Sequence, residues 1–220
     1  MGSTRGVLLD SGGVLIRPIG GRWNPRRDFE PTVLGVAPHL TDADFARAIA
    51  AGERYYETAP PDAPRDDYHR ALLEEIDVPV TVELLEELGR PLEPSSIVEL
   101  FPEVLSVLHE LRRRGLQLGC VTDNGPGIER LHAGLGIREF FEVYAISAVL
   151  GCTKPDPRMY HHAADGLDLR PEDCLFVDDV PSLVTGAAEL GYHAAALERE
   201  GPSGAPVTSI ANLTEVFDLI

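Results

Sequence analysis

The stretch VLLDSGGVLI, residues 7–16, decides the fold. An uninterrupted aliphatic run leads into Asp10, and Ser11-Gly12-Gly13 follow before the chain turns apolar again. A short apolar run without polar alternation fits a strand buried on both faces, as in a parallel sheet. In such sheets ligands gather beyond the carboxyl ends of the strands, so Asp10 stands where chemistry is expected. Glycine at position 12 allows a close backbone approach and suits a left-handed backbone, so a tight turn is expected there.

Further runs at 116–121, 143–146, 174–177 and 193–197 have strand length and composition. Helical patterns lie between them, at 103–114, 128–135, 158–166 and 182–190, with a last one at 213–219. In the first of these, Val104, Leu105, Leu108 and Leu111 are expected on one face. Alternating strands and helices imply an α/β core, a parallel sheet flanked by helices. The segment 18–91 is different: it offers amphipathic helices at 42–58, 65–76 and 82–88, capped by Thr41 and Thr81, and no buried strand. The expected organisation is therefore a core of residues 1–17 and 92–220 with a helical insert at 18–91. APPDAP (59–64) reads as a turn or linker and GPSGAP (201–206) as a surface loop.

The 220 residues are 44% hydrophobic and 25% charged, which is a soluble globular composition. The formal net charge of −17 repels nucleic acid and anionic membranes, so neither is expected as a partner. No apolar run reaches the length of a membrane span. Cys120, Cys152 and Cys174 show neither a pairing pattern nor metal-ligand spacing, which points to a reduced, cytoplasmic setting. The opening Met1-Gly2-Ser3 has the look of a cloning remnant. Nothing in the sequence sets the oligomeric state.

The polar residues that end the apolar runs form a coherent group. The first run ends in Asp10, the second in Thr122-Asp123-Asn124, and the fourth in Asp178-Asp179. Between them, GCTKPDP puts Lys154 in a proline-braced loop. Carboxylates are hard oxygen ligands of the kind Mg²⁺ takes. Mg²⁺ and Lys154 could hold a phosphate against the negative field of the protein, and a remaining carboxylate could attack it as a nucleophile. Thr122 could donate to a phosphoryl oxygen.

The order Asp10-x-x-Gly-Val, Thr122 after a strand, Lys154-Pro155, then Asp178-Asp179 with Gly186-Ala187 resembles the four motifs of the haloacid dehalogenase-like (HAD) superfamily. It is similar to the branch (subfamily I) with a helical cap inserted after the first motif. The segments FPEVLSVLHELRRRG, FFEVYAISAVLGCTKPDPRMY and CLFVDDVPSLVTGAAELG extend the likeness over most of the chain. The resemblance implies a Rossmann-like core and a Mg²⁺-dependent phosphatase of a small phosphorylated metabolite. It implies Asp10 as nucleophile and Mg²⁺ ligand, and the Gly12 carbonyl as a second ligand. Asp178 and Asp179 would complete the metal site, while Thr122 and Lys154 would grip the phosphoryl group.

Two features depart from the family pattern. Its phosphatases usually carry a second Asp two positions after the nucleophile, where it protonates the leaving oxygen; here that residue is Gly12. A positioned general acid contributes roughly 10²–10⁴-fold. The chain also reads VPSLVTGA after Asp179 where another Asp or Asn is common. Asp123 is a candidate substitute acid, although a turn-capping role is the better expectation. Two alternatives follow: a HAD-like binding or regulatory protein, and a metal-independent haloacid dehalogenase, whose halide leaves without a proton. The Arg22, Arg26 and Arg27 cluster could clamp an anion, but stapling within the insert is the better reading.

Overall fold

The structure is a computed structural model and describes residues 4–59, 63–93 and 96–220. By backbone proximity the chain forms two compact units, Met1–Arg17 with Val98–Ile220, and Pro18–Ile97. Met1-Gly2-Ser3 and the centre of APPDAP lie outside the described residues.

The first unit is built on a six-stranded parallel sheet. Its strands are β1 (Gly6–Leu9), β4 (Gln117–Thr122), β5 (Val143–Ile146), β6 (Cys174–Asp178), β7 (His193–Leu197) and β8 (Ser209–Ile210), in spatial order β5-β4-β1-β6-β7-β8. β1 is entirely buried, which accounts for its unbroken apolar sequence. Successive strands build outward from β1 on one side as β4 and β5, then on the other as β6, β7 and β8. The sheet therefore switches direction beside β1, where ligands bind in open α/β sheets. β2 (Ile16–Pro18) and β3 (Val98–Leu100) form a separate two-stranded ribbon where the chain leaves and re-enters this unit.

The helices of this unit are α5 (Val104–Arg113), α6 (Ile128–Gly134), α7 (Ser147–Leu150), α8 (Pro157–Gly166) and α9 (Pro181–Glu189). α5 buries Val104, Val107, Leu108 and Leu111. Leu105, expected on that face, is 43% exposed, because the i, i+3, i+4, i+7 rule selects Val107 instead. α8 and α9 each start at a proline, whose fixed φ and missing N–H suit the first helical position. Behind them Leu8, Val121, Met159, Tyr160, Phe176 and Ala187 form a continuous core. The last helix, expected at 213–219, is a 3₁₀ segment, Leu213–Asp218, opened by an Asn212–Glu215 capping box.

The second unit contains α1 (Phe29–Leu34), α2 (Asp42–Thr58), α3 (Arg65–Glu75) and α4 (Val82–Gly89). A capping box starts α2: the Asp44 carboxylate accepts from the Thr41 N–H at 2.8 Å, and the Thr41 hydroxyl accepts from the Asp44 N–H. Thr81 caps α4 through the Leu84 N–H at 3.2 Å. Phe29, Phe45, Tyr68, Leu72, Leu73 and Leu85 make a separate core. Arg26 donates to the Leu88 and Arg90 carbonyls, each at 2.7 Å, and Arg22 donates to the Pro25 carbonyl, so these two arginines staple the unit together. Residues 92–97, expected in the core, fall in this unit. The Ile19 N–H bonds the Ile97 carbonyl at 2.9 Å, so the departing and returning segments pair up to that level.

The central position of β1 gives a direct stability test. Leu8 is fully buried in the core cluster with Met159 and Phe176, so Leu8→Ala is expected to lower the unfolding free energy by about 2–5 kcal/mol, read from urea denaturation.

Candidate active site

Strand register brings the polar residues to one level. Leu9 pairs with both Cys120 and Val177, so Asp10 sits beside Asp178 and one residue short of Thr122. The Asp10 N–H continues the ladder to the Val177 carbonyl at 3.0 Å. Asp10, Thr122, Lys154 and Asp178 are all buried. The Lys154 ammonium lies 2.7 Å from the Asp10 carboxylate and 2.6 Å from that of Asp178. Asp178 also accepts from the Val180 N–H at 2.9 Å. Asp179 is more exposed, but an oxygen from each of Asp10, Asp178 and Asp179 falls within 4.8 Å of the others.

The electrostatics follow from burial. Burial pushes the Asp10 carboxyl up to about 7; Lys154 opposes this and Asp178 reinforces it. Burial and the neighbouring Asp178 also raise Asp179. For Lys154 burial acts downward, but the two carboxylates outweigh it and the ammonium is held above its ordinary range. When all four groups are ionised, three carboxylates face one ammonium and two negative charges stay uncompensated. Hard oxygen donors with that surplus suit a divalent cation such as Mg²⁺, so the residues present fit the metal.

Local sequence explains the placement. The backbone of Gly13 is left-handed, φ +74°, and a β-carbon there would lie 1.9 Å from an Asp179 carboxylate oxygen. The left-handed position expected at Gly12 therefore falls one residue later, and Gly13 is the position that tolerates no side chain. Asp123 does not cap a local turn. Its carboxylate accepts from the Lys154 N–H, 31 residues away, at 3.0 Å, and so braces the lysine loop. Gly186 lets α9 approach the same loop, since a β-carbon there would meet the Pro155 ring at 2.8 Å.

Sequence reasoning missed a buried polar chain beside Asp10. The Ser11 hydroxyl lies 2.8 Å from His132 Nε2, and His132 Nδ1 lies 2.9 Å from the Tyr144 hydroxyl. Burial, and secondarily Arg138, lowers the His132 pKa to about 4, so the imidazole is neutral at pH 7. Arg138 lies over the Tyr144 ring and pairs with Glu129 at 2.7 Å. The missing signal was spatial: α6 turns one histidine inward, and no sequence spacing marks it.

The haloacid dehalogenase-like hydrolase family model matches residues 4–191 of this chain. The chain belongs to the haloacid dehalogenase-like hydrolases. Among HAD relatives, a phosphoserine phosphatase from Thermus thermophilus is 36% identical over 124 residues, 54% of this chain and 50% of the relative. Phosphatase MT3486 from Mycobacterium tuberculosis is 31% identical over 121 residues, 54% of this chain and 56% of the relative. An (S)-2-haloacid dehalogenase from Pseudomonas sp. strain YL is 30% identical over 127 residues, 54% of this chain and 55% of that enzyme. The chain spans about half the length of the curated relatives it matches. The fold of the magnesium-bound HAD-hydrolase YfnB from Bacillus subtilis matches with a TM-score of 0.72 at 16% identity, over 99% of each chain. The L-2-haloacid dehalogenase of Xanthobacter autotrophicus matches at 0.65 and 17% identity, over 98% of each chain.

The neutral state of His132 carries a pH signature. Its folded pKa of about 4 lies below the ordinary 6.5, so the unfolded chain binds the extra proton first. Its stabilising contribution is complete above pH 6.5 and is lost as pH falls through 4. Thermal unfolding should lose more stability between pH 6.5 and 4 in the wild type than in His132→Gln, with Tyr144, Arg138 and Glu129 unchanged in both.

Proposed function

We propose that this protein is a Mg²⁺-dependent phosphatase of a small phosphorylated metabolite, with Asp10 as the nucleophile. The observation that carries the reading is the buried Asp10–Lys154–Asp178 cluster with Asp179 within 4.8 Å. A haloacid dehalogenase working without metal gives the Asp178–Asp179 pair no role. The phosphatase names among the relatives support the same reading. The unit Pro18–Ile97 is then the helical cap of this subfamily, and the protein acts in the cytoplasm. No helix among the described residues is long and apolar enough to cross a membrane.

Asp10, Asp178, Asp179 and the Gly12 carbonyl would hold the Mg²⁺, which supplies positive charge to the phosphate oxygens when bound. Lys154 and Thr122 grip the phosphoryl group, Lys154 with its fixed positive charge. A carboxylate oxygen of Asp10 attacks phosphorus, the ester P–O bond breaks, and its electron pair leaves with the alcohol oxygen. Water then attacks the phosphorus of the aspartyl-phosphate, the electron pair of the bond to Asp10 returns to the carboxylate, and the protons of the water pass to the alkoxide and the phosphate. Phosphate is released and the carboxylate restored. Gly12 has no proton to give in the first step, and the Asp123 carboxylate is engaged by the Lys154 N–H. Leaving groups that are weak bases, such as acyl or anomeric phosphates, are therefore the favoured substrates.

The missing acid at Gly12 also favours the alternatives, and one screen separates them. Sugar, nucleotide and acyl phosphates should release phosphate with Mg²⁺ and not with EDTA. Halide release that survives EDTA would establish the dehalogenase, and ligand binding without turnover the binding protein. Asp10→Asn should abolish turnover and leave the circular dichroism spectrum unchanged, whereas Asp179→Ala should shift the Mg²⁺ activation curve to higher concentration. Gly12→Asp should speed alkyl phosphates, by at most roughly 10²–10⁴-fold, and leave aryl and acyl phosphates nearly unaffected, because only the strongly basic alkoxide needs the proton. Equal effects on both kinds would place the proton donor elsewhere.

A further inference from the structure

Arg199 lies just beyond β7, outside all of the motifs above, and its guanidinium is engaged on several sides. Nε donates to the Gly13 carbonyl at 3.1 Å and Nη2 to the Val14 carbonyl at 2.9 Å. Nη1 pairs with Glu103 at 2.6 Å, and the guanidinium carbon lies 3.6 Å from the centre of the Phe101 ring. Both charged side chains are largely buried, Arg199 at 19% and Glu103 at 13% exposure. Ion pairs and stacked arginines are common, but a guanidinium fork closed on two consecutive backbone carbonyls is a specific use of its geometry.

Those carbonyls belong to the turn that follows Asp10. The Gly13 N–H donates to the Ile16 carbonyl at 2.9 Å, while the Leu15 and Ile16 N–H groups return to the Ser11 carbonyl at 2.8 and 3.0 Å. In a trans peptide the C=O and N–H point in opposite directions, so the Gly13–Ile16 bond turns the Gly12 carbonyl to the opposite side. Arg199 fixes the next two peptides. Between the two constraints sits Gly13, packed so closely on Asp179 that a β-carbon would not fit.

We propose that Arg199 is a positioning residue: it locks the Gly13–Val14 backbone and thereby holds Asp10, the Gly12 carbonyl and Asp179 in metal-binding register. This rests on the metal reading of the site. Loss of groups that orient metal ligands typically weakens binding about 10–100-fold, and a loosened turn acts on those ligands in the same way.

The test uses the full chain, Mn²⁺ as a paramagnetic stand-in for Mg²⁺, and amide hydrogen exchange. Arg199→Ala should raise the Mn²⁺ dissociation constant about 10–100-fold, and millimolar guanidinium should recover part of the loss. Arg17→Ala is the control. Arg17 also lies over Phe101, at 5.4 Å, and pairs with Glu99 at 2.8 Å, but it is not bonded to the turn carbonyls, so its Mn²⁺ affinity should stay at the wild-type value. The Gly13, Leu15 and Ile16 amides should exchange faster in Arg199→Ala while those of β6 do not. Arg199→Lys keeps the charge facing Glu103 without the planar fork; it should behave like Arg199→Ala and takes its place if the alanine variant does not fold. A folded Arg199→Ala with wild-type Mn²⁺ affinity overturns the proposal, as does an equal loss in Arg17→Ala. If the wild type takes up no Mn²⁺, the metal reading fails and the exchange data decide alone: unchanged turn amides refute the role of Arg199.

Discussion

The Lys154 ammonium is the constraint on which the site depends. It is the cation that contacts the buried Asp10 and Asp178 carboxylates, which end adjacent strands and would otherwise repel one another. Burying a charge is tolerable only when it is paired and hydrogen-bonded, and removing one member of such a pair typically costs about 3–5 kcal/mol. The surrounding backbone serves the same requirement. Asp123 ties down the Lys154 N–H, and Gly186 lets α9 close on Pro155. The lysine therefore reaches the carboxylates from a loop held on two sides.

The two glycines after Asp10 answer to different demands. Gly13 is dictated by sterics: its backbone is left-handed and Asp179 occupies the space of a side chain. Gly12 is under no such conformational demand, since its φ is not left-handed. The HAD scaffold serves phosphate and halide chemistry alike, as the names of the relatives show. A shared fold with different activities means that function is read from the residues of the site and not from the scaffold.

Much of this was legible in the sequence because the sheet strands are buried on both faces and read as plain apolar runs. The five predicted strands sit within a residue or two of β1, β4, β5, β6 and β7. β2, β3 and β8, two or three residues each, carry too few side chains to show a period, and α1 is only six residues long with Pro31 in its first turn. The rule that exposed Asp10, Thr122 and Asp178 was to examine the polar residue closing each apolar run. In HAAALERE the residue that closes the run is Glu198, and Arg199 stands one position beyond the reach of that rule. Asp123 is illegible in the sequence for a different reason: its partner is distant, and local turn propensity is blind to such pairs.

The position of β1 at the centre of the sheet has a kinetic consequence. Its partners begin at Gln117 and Cys174, so its nearest pairing closes a loop of more than 100 residues. During synthesis β1 leaves the ribosome well before these partners, as an aliphatic segment with nothing to pair with, while Pro18–Ile97 can condense around its own core. Bringing together residues so far apart is entropically slow, and the segment is prone to aggregate until β4 and β6 have emerged. The strand that places Asp10 beside Asp178 is thus also a point at which folding of the chain is exposed to error.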